Sequence, residues 1–455
     1  MAIPPPVTDT LARFVTETDF STISGTTRTN AKLHILDTFG VALAGVATPV
    51  AEIALDYCKN LGASTEASIW GTSAKVSVST AAFANGLLSH ALDFDDWDAF
   101  IHVGHPTSMI IGAALPLAEC IGASGKDLLK AYALGIEVIC KLAANAPNVQ
   151  DRGFHSTPVF GSLGAAVACA SLLRLDTAKL KAALGVAASA AGGIHRQQGS
   201  MVKPFHAGNA ARNGSEAALL AAKGFTADPA VFEAPRGFCD TFFGKDTCDY
   251  EKMISNIGEP YFLESPGLGL KWHPCSAPQF LAADAALHLK REHNIRYEDV
   301  AKMEVSIPPL RYARHYAPEV KTGLRGKFAI NYVVAMCILD GKLELKTFTD
   351  EKVNQPQVQE AFGKVQVICD ETIPEPGPYC PVTVALKDGA RHSYTAKIAK
   401  GDPRNPMSES EVTEKFRGNA KLVISEKRAE ELIDRVQQLE SVENVKKLVE
   451  LVTLS

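Results

Sequence analysis

Between about Asp9 and Gly224 the sequence carries little but helical spacing, and much of it is alanine and glycine. Ala31 to Gly45, Thr80 to Ala91, Thr107 to Gly122, Lys126 to Ala143, Gly161 to Leu173 and Ala178 to Ala191 each repeat apolar residues with a helical period. Small residues at that density let helix axes approach closely, so these runs predict a bundle with a largely buried interior rather than a sheet protein. Ser124-Gly125-Lys126-Asp127 and Leu175-Asp176-Thr177 supply N-capping residues between successive runs.

The texture changes after Pro266. Lys302 to Pro308, Lys364 to Cys369 and Val382 to Leu386 alternate like half-buried strands, and the Asp388-Gly389 turn leads into a hairpin partner at Ser393 to Ile398. Helical runs at Ala277 to Lys290 and Asn331 to Leu339 lie between them. Asp402-Pro403-Arg404-Asn405-Pro406 breaks the chain, and Glu409 to Leu454 returns to helical spacing. The expectation is a mainly α protein of two domains: a large all-helical domain from residues 1–265 and 405–455, and a smaller α+β domain from 266–404. A length of 455 residues, too great for one compact core, agrees.

Composition narrows the partners. The net charge of −5 is close to neutral for this length, with no basic patch or acidic tail, which argues against nucleic acid. Ten cysteines are scattered without a CxxC pair, a pattern expected of reduced thiols in a cytoplasmic protein without zinc or iron–sulfur ligation. The N-terminal Met-Ala-Ile-Pro-Pro-Pro lacks the regions of a signal peptide. No run of about twenty apolar residues escapes Pro, Gly or charge, so no membrane span is expected.

Three segments carry the chemistry. In the first, Asp93, Asp95, Asp96 and Asp98 run into His102 and His105-Pro106, directly ahead of the apolar run from Met109. Acids and imidazoles crowded against a buried element are costly unless paired, so the crowding points to a site rather than to a capped, solvated loop. Pro106 suits a first helical position, which puts His105 at the positive end of a helix dipole. A calcium loop fits poorly, because Trp97 and Asp98 stand where a ligand and a glycine are needed. The His102 and His105 spacing matches no standard metal motif, so no metal is expected.

The second segment, Phe154 to Gly161, repeats the arrangement: His155 precedes Ser156-Thr157-Pro158 at a helix start. In the third, Lys203 and His206 sit among Met201, Val202, Pro204 and Phe205, ahead of a helix that stops at Gly224. A desolvated Lys or His there has a lowered pKa and serves as acid or base near neutrality. Each segment places a titratable group at a helix N-terminus, where free N–H groups favour an anion. Together they describe a pocket for a small di- or tricarboxylate. No glycine-rich nucleotide fingerprint, P-loop or GxSxG elbow is present, which leaves acid–base chemistry on carbon without a cofactor.

At these residues the chain resembles the MmgE/PrpD family along nearly its whole length. The shared blocks are Leu36-Asp37-Thr38 with Gly40 to Gly45, Ala82 to Gly86, His90 to Asp96, His105-Pro106, His155-Ser156-Thr157, Lys203 to Gly208, and Gly401 to Ser408. The resemblance implies a large helical domain plus a smaller α+β domain, usually as a homodimer. It also implies 2-methylcitrate dehydratase, cis-aconitate decarboxylase or iminodisuccinate epimerase chemistry. Carried over by position, the site residues are Asp93, His105, His155, Lys203 and Tyr312.

Two departures bear on the reaction. Trp97 stands where the lyases commonly have Thr, and Phe280 stands where a His is expected six residues after Pro274, with His273 close by in sequence. Dehydration needs a base and an acid for the leaving hydroxyl; epimerisation needs only removal and return of one proton. Losing Thr and His while gaining Trp and Phe dries the pocket and favours the simpler task. The sequence therefore leads us to expect an epimerase of the iminodisuccinate type, with the family's lyase reactions as the alternative. His105 or Lys203 is the expected base, His155 and Tyr312 the return donors, and Asp93 the orienting carboxylate. His206, His102, His273 and Trp97 are the expected substrate contacts. A non-catalytic carboxylate-binding protein is the remaining reading.

Overall fold

The computed structural model describes residues 4–454. The chain divides into two compact units, one comprising the chain up to Leu270 together with the segment from Ser408, the other Lys271–Met407. The first is helical apart from two short antiparallel pairs, Ala67–Ser68 with Lys75–Val76 and Asp96–Trp97 with Gly269–Leu270. Those two pairs are a small correction to an all-helical reading; two-residue strands are too short to leave a periodic trace in the sequence.

The centre of this unit consists of the helices Val78–His90, Pro106–Ile121, Ser156–Leu172 and Val202–Ala222. Every residue of Ser156–Leu172 except Ser171 is buried, so the helix is apolar on all sides and packed all round. Glycine sets the spacing. A side chain at Gly112 would meet Gly86 Cα at 2.8 Å, and one at Gly208 would meet Phe83 O at 2.5 Å. Three of the central helices therefore touch backbone to backbone. Serines 24, 77 and 124 cap their helices as the local sequence predicts, Ser124 through a reciprocal capping box with Asp127.

The helix boundaries differ from the sequence reading mainly at N-termini. The first predicted helix begins at Gly25 rather than Ala31, because Ser24 caps a polar first turn that has no apolar period. The third segment is itself helical from Val202, so Lys203 and His206 lie within the helix rather than ahead of it; Pro204 is tolerated because it falls in the first turn. Glu409 to Leu454 resolves into Glu409–Ala420, Glu426–Gln437 and Lys446–Val452. No single helix among the described residues is long and apolar enough to cross a membrane.

The second unit has a four-stranded sheet in the order Val365–Cys369, Val300–Ile307, Cys380–Leu386, Arg391–Ala396. The first pairing is parallel, with Val305 opposite Val367, and the other two are antiparallel. Phe280–Glu292 and Ile330–Asp340 are its principal helices. The sheet alternates as the sequence indicated: Met303, Val305 and Ile307 are buried, while Lys302 is exposed.

Candidate active site

The Val78–His90 helix ends in a buried imidazole. His90 Nδ1 lies 2.7 Å from Asp95 Oδ2, and its Nε2 lies 2.7 Å from Lys203 Nζ. Asp95 is acceptor-only when ionised, so Nδ1 carries the proton, and Nε2 accepts from the ammonium. Lys203 donates its second bond to Asp93 Oδ1 at 2.9 Å. The result is a buried chain, Asp93–Lys203–His90–Asp95, with the lysine side chain only 6 % exposed. Burial is the chief influence on His90 and lowers its pKa, although the Asp95 carboxylate opposes it.

Each of the clustered acids has a different task. Asp93, at φ 50°, is left-handed and turns its carboxylate to Lys203. Asp95 holds His90 and accepts from Ser108 Oγ at 2.5 Å. Asp96 accepts from Thr107 N and Oγ1, thereby capping the Pro106–Ile121 helix, while its own backbone carbonyl accepts from His105 Nδ1 at 2.6 Å. Burial and the neighbouring Asp95 push the Asp96 carboxyl well above the usual carboxylate range. Asp98 organises the loop by accepting from the N–H groups of Phe100, Ile101 and Val103. Asp93, Asp95 and Asp96 are buried, Asp98 is half-buried, and all four are engaged, which removes the solvated-loop reading.

His105 occupies the N-cap position of its helix without making a capping bond. Its Nδ1 lies 2.6 Å from the Asp96 carbonyl oxygen, and its Nε2 lies 3.8 Å from Asp93 Oδ1. The His90 and His105 rings are 4.6 Å apart.

His155 caps Ser156–Leu172 in the same way, and its Nδ1 lies 3.1 Å from Nδ1 of His206, one turn beyond Lys203. Two imidazole nitrogens at that distance share one proton, so one ring donates and the other accepts. Burial, followed by the Lys203 charge, holds His155 well below its ordinary value. Burial, then the nearby His90 and Lys203, pushes His206 down to about 4. Desolvation is thus the leading cause of the lowered pKa in both rings, as the apolar surroundings of His206 led the sequence to suggest.

The donor atoms of His90, Asp93, Asp95 and His105 lie within 4.8 Å of one another, a spacing that could surround a metal ion. Lys203 Nζ already bonds two of these groups and occupies the place of the cation, so the donor set suits a metal poorly.

The structure thus gathers Asp93, His105 and Lys203 into one cluster and pairs His155 with His206. His102 is not part of it: this residue is exposed at a left-handed turn, φ 60°, while the neighbouring Val103 is buried. Trp97 is half-buried in the short strand pairing with Gly269. His273 and Tyr312 belong to the second unit. There His273 is buried and bonded to Asp284 at 2.8 Å, and Tyr312 stacks on Tyr316. Sequence reasoning gave no role to His90 or Asp95. Their signal was a helix-ending His five residues before an Asp, which identifies a pair only once the turn between them is known.

The chain is mainly helical, and its first unit holds a buried Lys–carboxylate–imidazole cluster. The N-terminal domain model of MmgE/PrpD matches residues 9–251, and the C-terminal domain model matches 273–441. The chain belongs to the MmgE/PrpD family. It is 33 % identical to cis-aconitate decarboxylase of Homo sapiens over 91 % of this chain and 88 % of that one. It is 30 % identical to the Mus musculus protein of the same name, over 92 % and 88 %. It is 28 % identical to the cis-aconitate decarboxylase-like protein oryM of Aspergillus oryzae, over 98 % and 97 %.

Proposed function

We propose that this chain is a lyase that decarboxylates a small unsaturated tricarboxylate of the cis-aconitate type. The observation that carries the reading is Lys203, buried and bonded at once to Asp93 and His90. A cation held in that position, away from bulk water, attracts a substrate carboxylate and stabilises the charge left when carbon dioxide departs. The names of the relatives favour the lyase over the epimerase that the sequence alone suggested.

The bond between a carboxylate carbon and its neighbour breaks, carbon dioxide leaves, and the electron pair spreads through the adjacent alkene toward a remaining carboxylate. One proton then adds to carbon, giving a five-carbon dicarboxylic acid. Lys203 holds the anion and is the proposed proton donor, its ammonium held by His90, which Asp95 orients; the proton it gives up is replaced from solvent between turnovers. His105 is the proposed alternative donor, and Asp93 sets the position of the ammonium. His155 and His206 form a neutral wall against which a carboxylate can accept a hydrogen bond.

Incubation with cis-aconitate in deuterium oxide, followed by proton NMR, tests the reading. Carbon dioxide release with one carbon-bound deuterium per product molecule is the expected outcome. Trp97 and Phe280 in place of the lyases' Thr and His favour the epimerase as second reading. That reading gains if cis-aconitate is untouched while an α-amino or α-imino dicarboxylate acquires deuterium without losing carbon dioxide.

A further inference from the structure

We propose that Lys415, on the Glu409–Ala420 helix, is a positioning residue for the Asp93–Asp96 loop; the inference rests on the site assigned above. Lys415 Nζ lies 2.8 Å from Asp37 Oδ1 and 2.7 Å from the backbone carbonyl of Phe94, and sits 3.9 Å over the Phe94 ring. Its side chain is 5 % exposed and that of Asp37 is 1 % exposed.

Phe94 is the residue between the two carboxylates that hold Lys203 and His90. Its peptide oxygen and its ring both bear on the same ammonium, so Lys415 fixes the direction of the backbone between Asp93 and Asp95. That matters because Asp93 adopts a left-handed conformation disfavoured for residues with a side chain. A loop that holds such a residue needs contacts beyond its own turn. Within that turn the Asp93 N–H bonds the His90 carbonyl at 3.1 Å, and the contact from beyond it is Lys415, at the next residue. Asp37 neutralises the ammonium, so the anchor brings no net buried charge to the floor of the site. Within the first unit Lys415 and Lys203 are two cations bonded to a single loop, one to its backbone and the other to its carboxylate.

The test is the double variant Lys415→Met/Asp37→Leu, which removes both charges together and so avoids an orphaned buried ion. The expected result is a protein that melts within a few degrees of the wild type, with kcat lowered about a hundredfold and KM little changed. Amide hydrogen exchange across residues 93–105 is expected to accelerate about tenfold while the central helices stay protected. A folded double variant with unchanged kcat and unchanged loop exchange would overturn the proposal. Should the double variant not fold, Lys415→Arg decides. The guanidinium keeps the pair with Asp37 but cannot place a single donor where Nζ stands, so a fall in kcat supports the assignment and wild-type kcat with wild-type exchange refutes it. Should the wild type not turn over cis-aconitate, the proposed function fails, and the exchange measurement alone supports or overturns the role of Lys415.

Discussion

Lys203 is the residue on which the site depends, because its two hydrogen bonds join the Asp93 carboxylate to the His90 imidazole. Replacing it with Met keeps most of the stem and removes the donor. We expect Lys203→Met to remain folded and to lose about a thousandfold or more in kcat, with circular dichroism and steady-state turnover as the paired measurements. The histidines carry a pH signature. An unfolded His takes a proton near 6.5, whereas folded His206 does so only at about 4. Between those values the native state binds fewer protons than the unfolded state. Its stability therefore rises with pH from about 4 to about 6.5 and levels off above. Asp96, pushed upward by burial, acts in the opposite sense, which is why a variant is needed to isolate one group. His206→Asn is expected to flatten the pH 4 to 6.5 segment of the melting curve by up to about 3 kcal/mol. An equally steep dependence in the variant would show that His206 does not contribute.

At the scale of elements, the cluster is a meeting of helix ends. Val78–His90 delivers His90 at its C-terminus, while Pro106–Ile121 and Ser156–Leu172 present His105 and His155 at their N-caps. Val202–Ala222 delivers Lys203 in its first turn. Distances near 2.8 Å between side chains on different helices require axes that hardly move, and the glycine contacts supply that closeness. Gly208→Ala puts a methyl 2.5 Å from the Phe83 carbonyl, an overlap with backbone that no rotamer can relieve. We expect a loss of about 1 to 3 kcal/mol in denaturant unfolding. Turnover should fall further than that loss explains, since the helix bearing Lys203 is displaced from the one bearing His90. Wild-type kcat in a destabilised Gly208→Ala protein would separate packing from catalysis and contradict this link.

At the scale of the molecule, the helical unit is discontinuous: its last helices follow an excursion of 137 residues, Lys271–Met407. Those helices complete its core. Phe416 is fully buried against Gly40, and Leu432, Leu439 and Leu448 are fully buried as well. Truncation after Met407 is therefore expected to leave the first unit unable to hold a native core and to abolish turnover. The checks are solubility, thermal melting and activity beside the full chain. A soluble, cooperatively melting truncation would show that the returning helices are dispensable.

The helices and strands were legible locally because burial leaves a period, as in the alternation of Met303, Val305 and Ile307 or the apolar run of Ser156 to Leu172. Asp93, His105, His155, Lys203 and His206 were legible as well, since charge beside an apolar run carries a desolvation cost that invites explanation. What the sequence could not contain was partnership. His90 and Asp95 become a pair only through a left-handed turn, and His102 stands outside their cluster, exposed at φ 60° while Val103 is buried. Lys415 lies more than three hundred residues from the loop it anchors. Periodicity reports how much water each residue loses. Which groups then replace that water is decided by tertiary distance, and by that alone.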